Sequence, residues 1–206
     1  MSTKKIYAVL VKPFFDKMAA LLLLILCTPL LLICVLVLAV QHRGRFLFYH
    51  QRIGKNEKSF NLYKLRTMDD FPENSGISEE KRITRIGAFL RILSVDELPQ
   101  LYNVLKGEMS LVGPRPLLPE YLPYYTSEEK RRHLVKPGIT GWAQVHGRNS
   151  ANWESRMKND LDYTDSFSFW LDCRILLLTV LQFFKFKQAD FNMQNQCTFI
   201  EYAKKR

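Results

Sequence analysis

The hydrophobic pattern divides the chain abruptly. From Met18 to Val40 it reads "MAALLLLILCTPLLLICVLVLAV", apolar at all but Thr28 and Pro29. These 23 positions exceed the roughly 20 that a helix needs to span a bilayer. A secretory leader would have a shorter apolar core and a small-residue cleavage site, and neither is present. Pro29, near the middle, removes a backbone hydrogen bond and kinks a helix. Lys4, Lys5, Lys12 and Lys17 precede the run, and Arg43, Arg45 and Arg52 follow it. Positive charge marks the cytoplasmic side of a membrane segment. With both flanks basic, two arrangements stay open: a kinked span, or a re-entrant helix that dips in, bends at Thr28–Pro29 and returns to the same face. Each arm of about 11 residues would then reach about 16 Å. The Thr28 hydroxyl is suited to bond a carbonyl that Pro29 frees.

Beyond Val40 the pattern changes to short elements. Residues 46–68, "FLFYHQRIGKNEKSFNLYKLRTM", alternate around the turn "GKNEK" and predict a β-hairpin. Residues 69–80 are polar and read as a loop. "TRIGAFLRIL" predicts a basic amphipathic helix, and "PQLYNVLKG" another, opened by Pro99 and closed by Gly107. "MSLVGPRPLLPEYLP" is proline-punctuated and reads as extended. "SEEKRRHLV" predicts a helix capped by Ser127, "KPGITGWAQVHGRN" a glycine-spaced loop, and "WESRMKNDLDYTDSF" a charged helix. "FWLDCRILLLTVLQFFKFK" is an amphipathic to wholly apolar helix with aromatics at both ends, which suits either a membrane surface or a core. The tail from Gln188 has no pattern. The fold class expected is mixed α/β, mainly helical.

Composition narrows the partners. The chain has 206 residues, enough for one ordinary domain, with 47% hydrophobic residues. A formal net charge of +10, from 30 Lys+Arg against 20 Asp+Glu, points to an anionic partner. Cysteines 27, 34, 173 and 197 form no CxxC pair and read as reduced structural thiols of a cytoplasm-facing protein. No P-loop, GxGxxG or His/Cys metal spacing is present, and His42, His50, His133 and His146 are scattered. No DNA- or RNA-binding module pattern occurs, so nucleic acid is not an expected partner.

Against this basic background "SVDELPQL" sets Asp96 beside Glu97. The first reading is structural: both acids stand just before a helix, where carboxylates complement its dipole. "SVDE" has the form of a capping box, although Pro99 denies a helix begun at Ser94 an amide it needs. The basic residues suggest chemistry instead. Arg91 lies five positions before Asp96, Arg115 is held between prolines in "GPRP", Lys136 leads "KPG", Arg148 sits in "HGRN", and Lys64 and Arg66 flank Leu65. Cations in rigid loops grip phosphate. An aspartate can attack phosphorus to form an acyl-phosphate, aided by a divalent cation.

In the order in which they occur, four motifs resemble the bacterial monotopic phosphoglycosyl transferases: "KPFFDKMAALLLLILCTPLLL", "QRIGKNEKSFNLYKLRTM", "TRIGAFLRILSVDELPQLYNVLKGEMSLVGPRPLLPEYLPYY" and "KPGITGWAQVHGRN". The resemblance runs from about Lys12 to Asp172. It implies transfer of a sugar-1-phosphate from a UDP-sugar, N-acetylated by the family's habit, to undecaprenyl phosphate, with release of UMP. The implied route is ping-pong. Asp96 matches the family's nucleophile and Glu97 its partner acid, and Mg²⁺ is the implied cofactor, held near Asp96. Arg115 and Arg148 match phosphate-binding arginines, Arg91 the helix arginine near the acid pair, and Lys64 and Arg66 the basic strand motif. Lys136 stands where many members have arginine, and His146 where asparagine is common. Thr28–Pro29 matches the break of a re-entrant membrane helix.

The resemblance divides the chain into a membrane anchor (1–45), a catalytic domain (46–187) carrying a β-hairpin and interfacial amphipathic helices, and a tail (188–206). It implies the cytoplasmic face of the bacterial inner membrane, membrane lipids as surroundings, and downstream glycosyltransferases as partners. The competing class is a non-catalytic, membrane-anchored module that binds anionic lipid or recruits other enzymes.

Overall fold

A computed structural model describes residues 3–70, 78–147, 152–184 and 198–204. Arg148, Cys197, residues 71–77 of the expected loop, the last residues of the expected 169–187 helix and the first ten of the tail lie outside them. The fold is mixed and mainly helical. A short helix α1 (Thr3–Ile6) and a π-turn at Tyr7–Val11 lead into α2 (Lys12–Gln41). Its helical assignment continues through Pro29, and it is long and apolar enough to cross a membrane. The Thr28 hydroxyl donates to the Leu24 carbonyl at 2.7 Å. That is one residue before the Ile25 carbonyl that Pro29 deprives of its donor, so the expected rescue bond is shifted by one position.

The inner face of α2 determines how it sits. Ala20 and Leu24 pack on Phe60, Leu62, Leu101 and Val104, and further along Leu31, Cys34 and Leu38 pack on Leu65, Leu90 and Val95. From Ala20 to Leu38 is about 27 Å of helix. One stripe at three- and four-residue spacing therefore lies against the folded domain over that length. The opposite face, including Leu22, Ile25, Leu26, Ile33 and Leu36, is exposed.

The hairpin forms as the alternation predicts. β1 (Leu47–Ile53) and β2 (Ser59–Leu65) pair antiparallel, with Arg52 opposite Phe60 and Phe48 opposite Lys64. Asn56 and Glu57 take left-handed φ of 55° and 60° in the turn. Period-two geometry puts Phe60, Leu62 and Lys64 on one face, and cross-strand partners share it, so Arg52 joins them. A bridge between Met68 and Ile83 follows, with α3 (Glu79–Arg82) starting inside the expected loop. α4 (Arg85–Ile92) is capped by Thr84, and α5 (Gln100–Lys106) ends at Gly107 with φ 81°.

Three expectations are corrected. "MSLVGPRPLLPEYLP" is not extended throughout, because Pro119–Tyr124 forms a 3₁₀ helix. The "KPGITGWAQVHGRN" segment holds a strand and a helix: β4 (Gly138–Thr140) pairs parallel with β3 (Ser110–Val112), and α6 (Trp142–Gly147) follows. The glycine spacing serves close backbone packing, since a Cβ on Gly138 would stand 2.1 Å from the Gly113 nitrogen. The 127–135 element is a 3₁₀ helix (Glu129–Leu134) instead of an α-helix. Its cap is Thr126: its hydroxyl accepts from the Glu129 amide at 3.2 Å, and the Glu129 carboxylate accepts from the Thr126 amide at 2.8 Å. This is the reciprocal capping box, one residue earlier than Ser127.

α7 (Trp153–Ser166) is capped by Asn152, and α8 (Phe169–Phe184) buries Asp172 and Ile175 while exposing Trp170, Leu177 and Leu181. Asp172 ties the chain's start to these helices. It accepts from Tyr7 and Lys12 at 2.5 Å each, and from Tyr163 at 2.7 Å. The tail contributes α9 (Phe199–Lys204), whose Phe199 is fully buried against Tyr121, Tyr125 and Trp153. The 188–206 segment thus carries a docking element that its sequence pattern does not reveal.

Candidate active site

The acid pair is set in place by the elements on either side. α4 crosses Thr67 in backbone contact: a Cβ on Gly87 would lie 2.1 Å from the Thr67 carbonyl oxygen. After Leu93 the chain reverses at Ser94, a non-glycine residue with φ 53°. A 3₁₀ turn, Val95–Glu97, then leads through Pro99 into α5. Val95 anchors the turn in the core beside Cys34 and Leu38. Asn103 of α5 is wholly buried and bonds the β2 backbone at both Asn61 and Tyr63, which fixes α5 against the strand carrying Lys64.

Neither carboxylate caps a helix. The Glu97 amide donates to the Ser94 carbonyl at 3.2 Å, and the Ser94 hydroxyl makes no capping bond. One Glu97 carboxylate oxygen instead accepts from Lys64 Nζ at 2.7 Å and Arg115 Nη2 at 3.3 Å. Burial works against the charged form of Glu97. Arg115 and Lys64 overcome it by charge and hydrogen bonding, and the carboxyl is held down to about 2. Asp96, 6% exposed, is hydrogen-bonded to no other side chain among the described residues. Burial pushes it up to about 6; Lys64 pulls it down, Glu97 pushes it up, and Arg91 pulls it down again. The two neighbouring acids are therefore split in character. One is a strong, fully engaged anion, and the other a buried carboxylate of raised basicity with no side chain bonded to it.

Of the cations expected here, Lys64 and Arg115 bond Glu97 directly, and Arg91 acts on Asp96 through its charge while its Nε donates to Thr67 Oγ1 at 2.8 Å. Arg66 is turned away, bonded to Asp70 at 2.6 Å. Lys136 lines a different cavity, with Lys12 and Lys55. The expectation for Arg148 lies outside the described residues.

Sequence reasoning passed over three further charges near Arg115. Arg52 has a buried Nε without a partner; burial and then the Arg115 charge lower its basicity, against Tyr121 and Glu97. The hairpin register could have revealed it, since a turn centred on Asn56 puts Arg52 on the Lys64 face. Arg156 is likewise lowered by burial and by Arg115, and its guanidinium lies 5.1 Å from the Trp153 ring centre. Arg132, wholly interior, pairs with Asp160 at 2.6 Å and donates to the Arg115 carbonyl at 2.7 Å. No local signal links residues 28 apart in sequence, so that ion pair is visible only in the fold. The result is a ridge beside Glu97 in which Arg115 repels Arg52 and Arg156 while Arg132, neutralised by Asp160, props the Arg115 backbone, suited to an anion carrying several charges.

His133 yields a prediction about folding. Both ring nitrogens are buried without hydrogen-bond partners among the described residues, and burial, then Arg132 and Lys130, push it down to about 3. Its folded value lies below its unfolded value of about 6.5. Above that pH both states are neutral and no penalty exists. As pH falls from about 6.5 towards 3 the unfolded state takes up a proton that the folded state refuses, and stability declines. Urea midpoints between pH 7 and 4 are expected to fall less steeply in His133→Gln, by about one proton's worth of slope. An unchanged slope contradicts this.

Among the described residues no group of three or more His, Cys, Asp or Glu side chains converges as a metal site. Asp96 is the available ligand, because Glu97 is engaged. Mg²⁺ commonly binds through one or two carboxylates together with substrate phosphates and water, and a single unengaged carboxylate beside several cations is compatible with that ion.

The bacterial sugar transferase family matches residues 7–186. The sugar transferase EpsL of Bacillus subtilis is 49% identical over 173 residues, 83% of this chain and 86% of that protein. The undecaprenyl-phosphate glucose phosphotransferase of Komagataeibacter xylinus is 42% identical over 82% of this chain, but the match spans 35% of that protein. A UDP-N-acetylgalactosamine-undecaprenyl-phosphate N-acetylgalactosaminephosphotransferase of Aeromonas hydrophila is 38% identical over 85% of this chain and 44% of its own length. With residues 7–186 matched by the family and a relative 49% identical over 83% of the chain, the chain belongs to the bacterial sugar transferase family.

Proposed function

We propose that the protein transfers a sugar-1-phosphate from a UDP-sugar to undecaprenyl phosphate at the cytoplasmic face of the bacterial inner membrane, forming undecaprenyl-diphosphate-sugar and UMP. The observation that carries this is Asp96: a buried carboxylate of raised basicity, bonded to no side chain among those described, beside cations that grip another anion. One Asp96 oxygen attacks the β-phosphorus. A bond forms between that oxygen and phosphorus, the bond to the bridging oxygen breaks, and UMP leaves with that oxygen. In the second step an oxygen of undecaprenyl phosphate attacks the same phosphorus and the Asp96 carboxylate departs. Mg²⁺ at Asp96 would neutralise charge on the donor diphosphate. The donor is read as N-acetylated; relatives are named for glucose and for N-acetylgalactosamine, so a panel of UDP-sugars tests this part separately.

Glu97 acts as an orienting anion. A carboxyl held at about 2 is a poor base near neutrality. It keeps Lys64 and Arg115 aligned until a phosphate takes its place between them. Glu97→Gln is expected to lower kcat/KM by about 10–100-fold, as misaligned binding groups do, while the Asp96 adduct still forms. A Glu97→Gln enzyme at full activity contradicts this role.

The membrane arrangement is read as re-entrant. Both halves of α2 pack on the same domain, Ala20 at one end and Leu38 at the other. A helix crossing the bilayer would carry one end away from it. In this reading the chain bends towards the lipid at Thr28–Pro29, and α8 lies on the interface through Trp170, Leu177 and Leu181. Cysteines introduced singly at Lys5 and Arg43, in a chain without its native cysteines, should both react with a membrane-impermeant maleimide only in inverted vesicles. Labelling of the two from opposite sides overturns the re-entrant reading. Membrane lipids and later glycosyltransferases are its natural neighbours, since the product stays in the bilayer. The function is tested by incubating the chain with Mg²⁺, undecaprenyl phosphate and each UDP-sugar in turn, following UMP. Release with one donor supports it, and no release with any donor contradicts it.

A further inference from the structure

A second basic site stands apart from the acid pair. A cavity of about 230 Å³ is enclosed by the start of α2, the hairpin turn, the segment before β4 and the end of α7. Its charged walls are Lys12, Asp16, Lys55, Lys136 and Asp165, none of which touches Asp96 or Glu97. Several of these charges are already engaged. Lys12 is 2.5 Å from Asp172, Asp165 pairs with Arg131, and Asp16 accepts from Ser110 at 2.6 Å while lying 3.7 Å from Lys12.

The remaining cations are not balanced in this way. Lys55 and Lys136 form no ion pair among the described residues. Lys17 stands beside them: a Cβ on Gly107 would lie 3.4 Å from Lys136 Nζ and 3.9 Å from Lys17 Cε. Burial lowers the basicity of Lys136, and Lys17, Lys55 and Lys12 add to this against Asp16. Lys55 and Lys136 on the cavity wall, with Lys17 beside Lys136 at its edge, repel through Lys136, and such a set suits an anion that spreads its charge over several oxygens. Lysine, a flexible point charge, accepts such an anion without the planar geometry arginine demands.

The surroundings say where that anion comes from. Phe167 lines the cavity and its ring centre lies 6.3 Å from that of Tyr7. Tyr7 and Phe15 each pack on Phe169, and Phe169 on Trp170. Trp170 is 80% exposed and Phe15 56%. Exposed aromatics at the foot of an apolar helix belong at the headgroup level of a bilayer, and basic pockets at that level take lipid phosphates. We propose that Lys17, Lys55 and Lys136 form a phosphate-binding site, separate from the acid pair, that holds the headgroup of an anionic phospholipid. The lipid source rests on the membrane placement of α2 given above; the phosphate site itself does not.

Two arms test it. The full chain is placed in nanodiscs of phosphatidylcholine with a minority of phosphatidylglycerol, and retained lipid is counted by native mass spectrometry. Phosphatidylglycerol is expected to be enriched about fivefold or more over its share of the disc. The enrichment should vanish in the Lys17→Gln/Lys55→Gln/Lys136→Gln variant and persist in the matching triple arginine variant, which keeps charge and reports on folding. In the second arm, lipid-free protein in neutral detergent is titrated with inorganic phosphate and followed by ³¹P line width. Lysine-dependent enrichment of phosphatidylglycerol supports the lipid source. Lysine-dependent broadening without enrichment keeps the site but overturns the lipid as its source. If native and glutamine chains behave alike in both arms, the site is overturned. Failure of the native chain to enter nanodiscs at all counts against the membrane placement, with the phosphate arm still deciding the site.

Discussion

Asp96→Asn is expected to reduce turnover by about 10⁴-fold or more, the scale seen when a nucleophile acting with its partners is removed. The amide keeps the size of the side chain but cannot attack phosphorus. Because Asp96 is buried with its ionised form disfavoured, removing its charge is expected to leave the melting temperature unchanged or raised. UDP binding, proposed to rest on Lys64 and the arginine ridge, is expected to persist. This combination separates a nucleophile from a structural acid. Losing a helix cap would instead lower stability by about 0.5–2 kcal/mol and leave turnover largely intact. Steady-state UMP release and thermal unfolding on the same preparation decide between them.

The second large effect concerns folding and site together. Arg132→Met leaves Asp160 interior and unpaired, and breaking one side of a buried ion pair costs about 3–5 kcal/mol. It also removes the donor that holds the Arg115 carbonyl at 2.7 Å. The variant is expected to unfold at a much lower urea concentration. Arg132→Met combined with Asp160→Leu should recover most of that stability, because apolar replacements of both partners are often neutral. The double variant should nevertheless keep a raised KM for the donor, since Arg115 is still unsupported. Denaturation midpoints and donor KM on both variants check this; equal stability of the single and double variants contradicts it.

Local rules made much of the fold legible. The hairpin followed from alternation on either side of "GKNEK", α5 from periodicity between Pro99 and Gly107, and α4 and α7 from amphipathic and charged patterning, with their caps Thr84 and Asn152 seen only in the structure. The segment led by Lys136 did not, because its glycines serve a contact with Gly113 across the fold and not a local turn. Thr126 displaced Ser127 as a cap because Glu129 lies three residues after the threonine and can return its hydrogen bond. Phe199 looked patternless since its partners, Tyr121, Tyr125 and Trp153, are far away in sequence.

The candidate site divides along the same line. Asp96, Glu97, Lys64 and Arg115 sit in short motifs, and the structure brings them together. Spacing alone could not tell which acid carries the cations, or that Arg66 turns to Asp70. Arg52, Arg132 and Arg156 reach Arg115 only through strand pairing and the packing of α7, which no linear pattern displays.

The central claim is a covalent aspartyl intermediate, and the most direct measurement is the mass of the protein after exposure to its donor alone. With Mg²⁺ and the UDP-sugar that releases UMP, but without undecaprenyl phosphate, the intact chain is expected to gain one sugar-phosphate. Peptide mapping should place the addition on Asp96, and added undecaprenyl phosphate should discharge it. Turnover at full rate in the complete mixture with no adduct under single-turnover quenching, or an adduct mapped to another residue, would contradict the account.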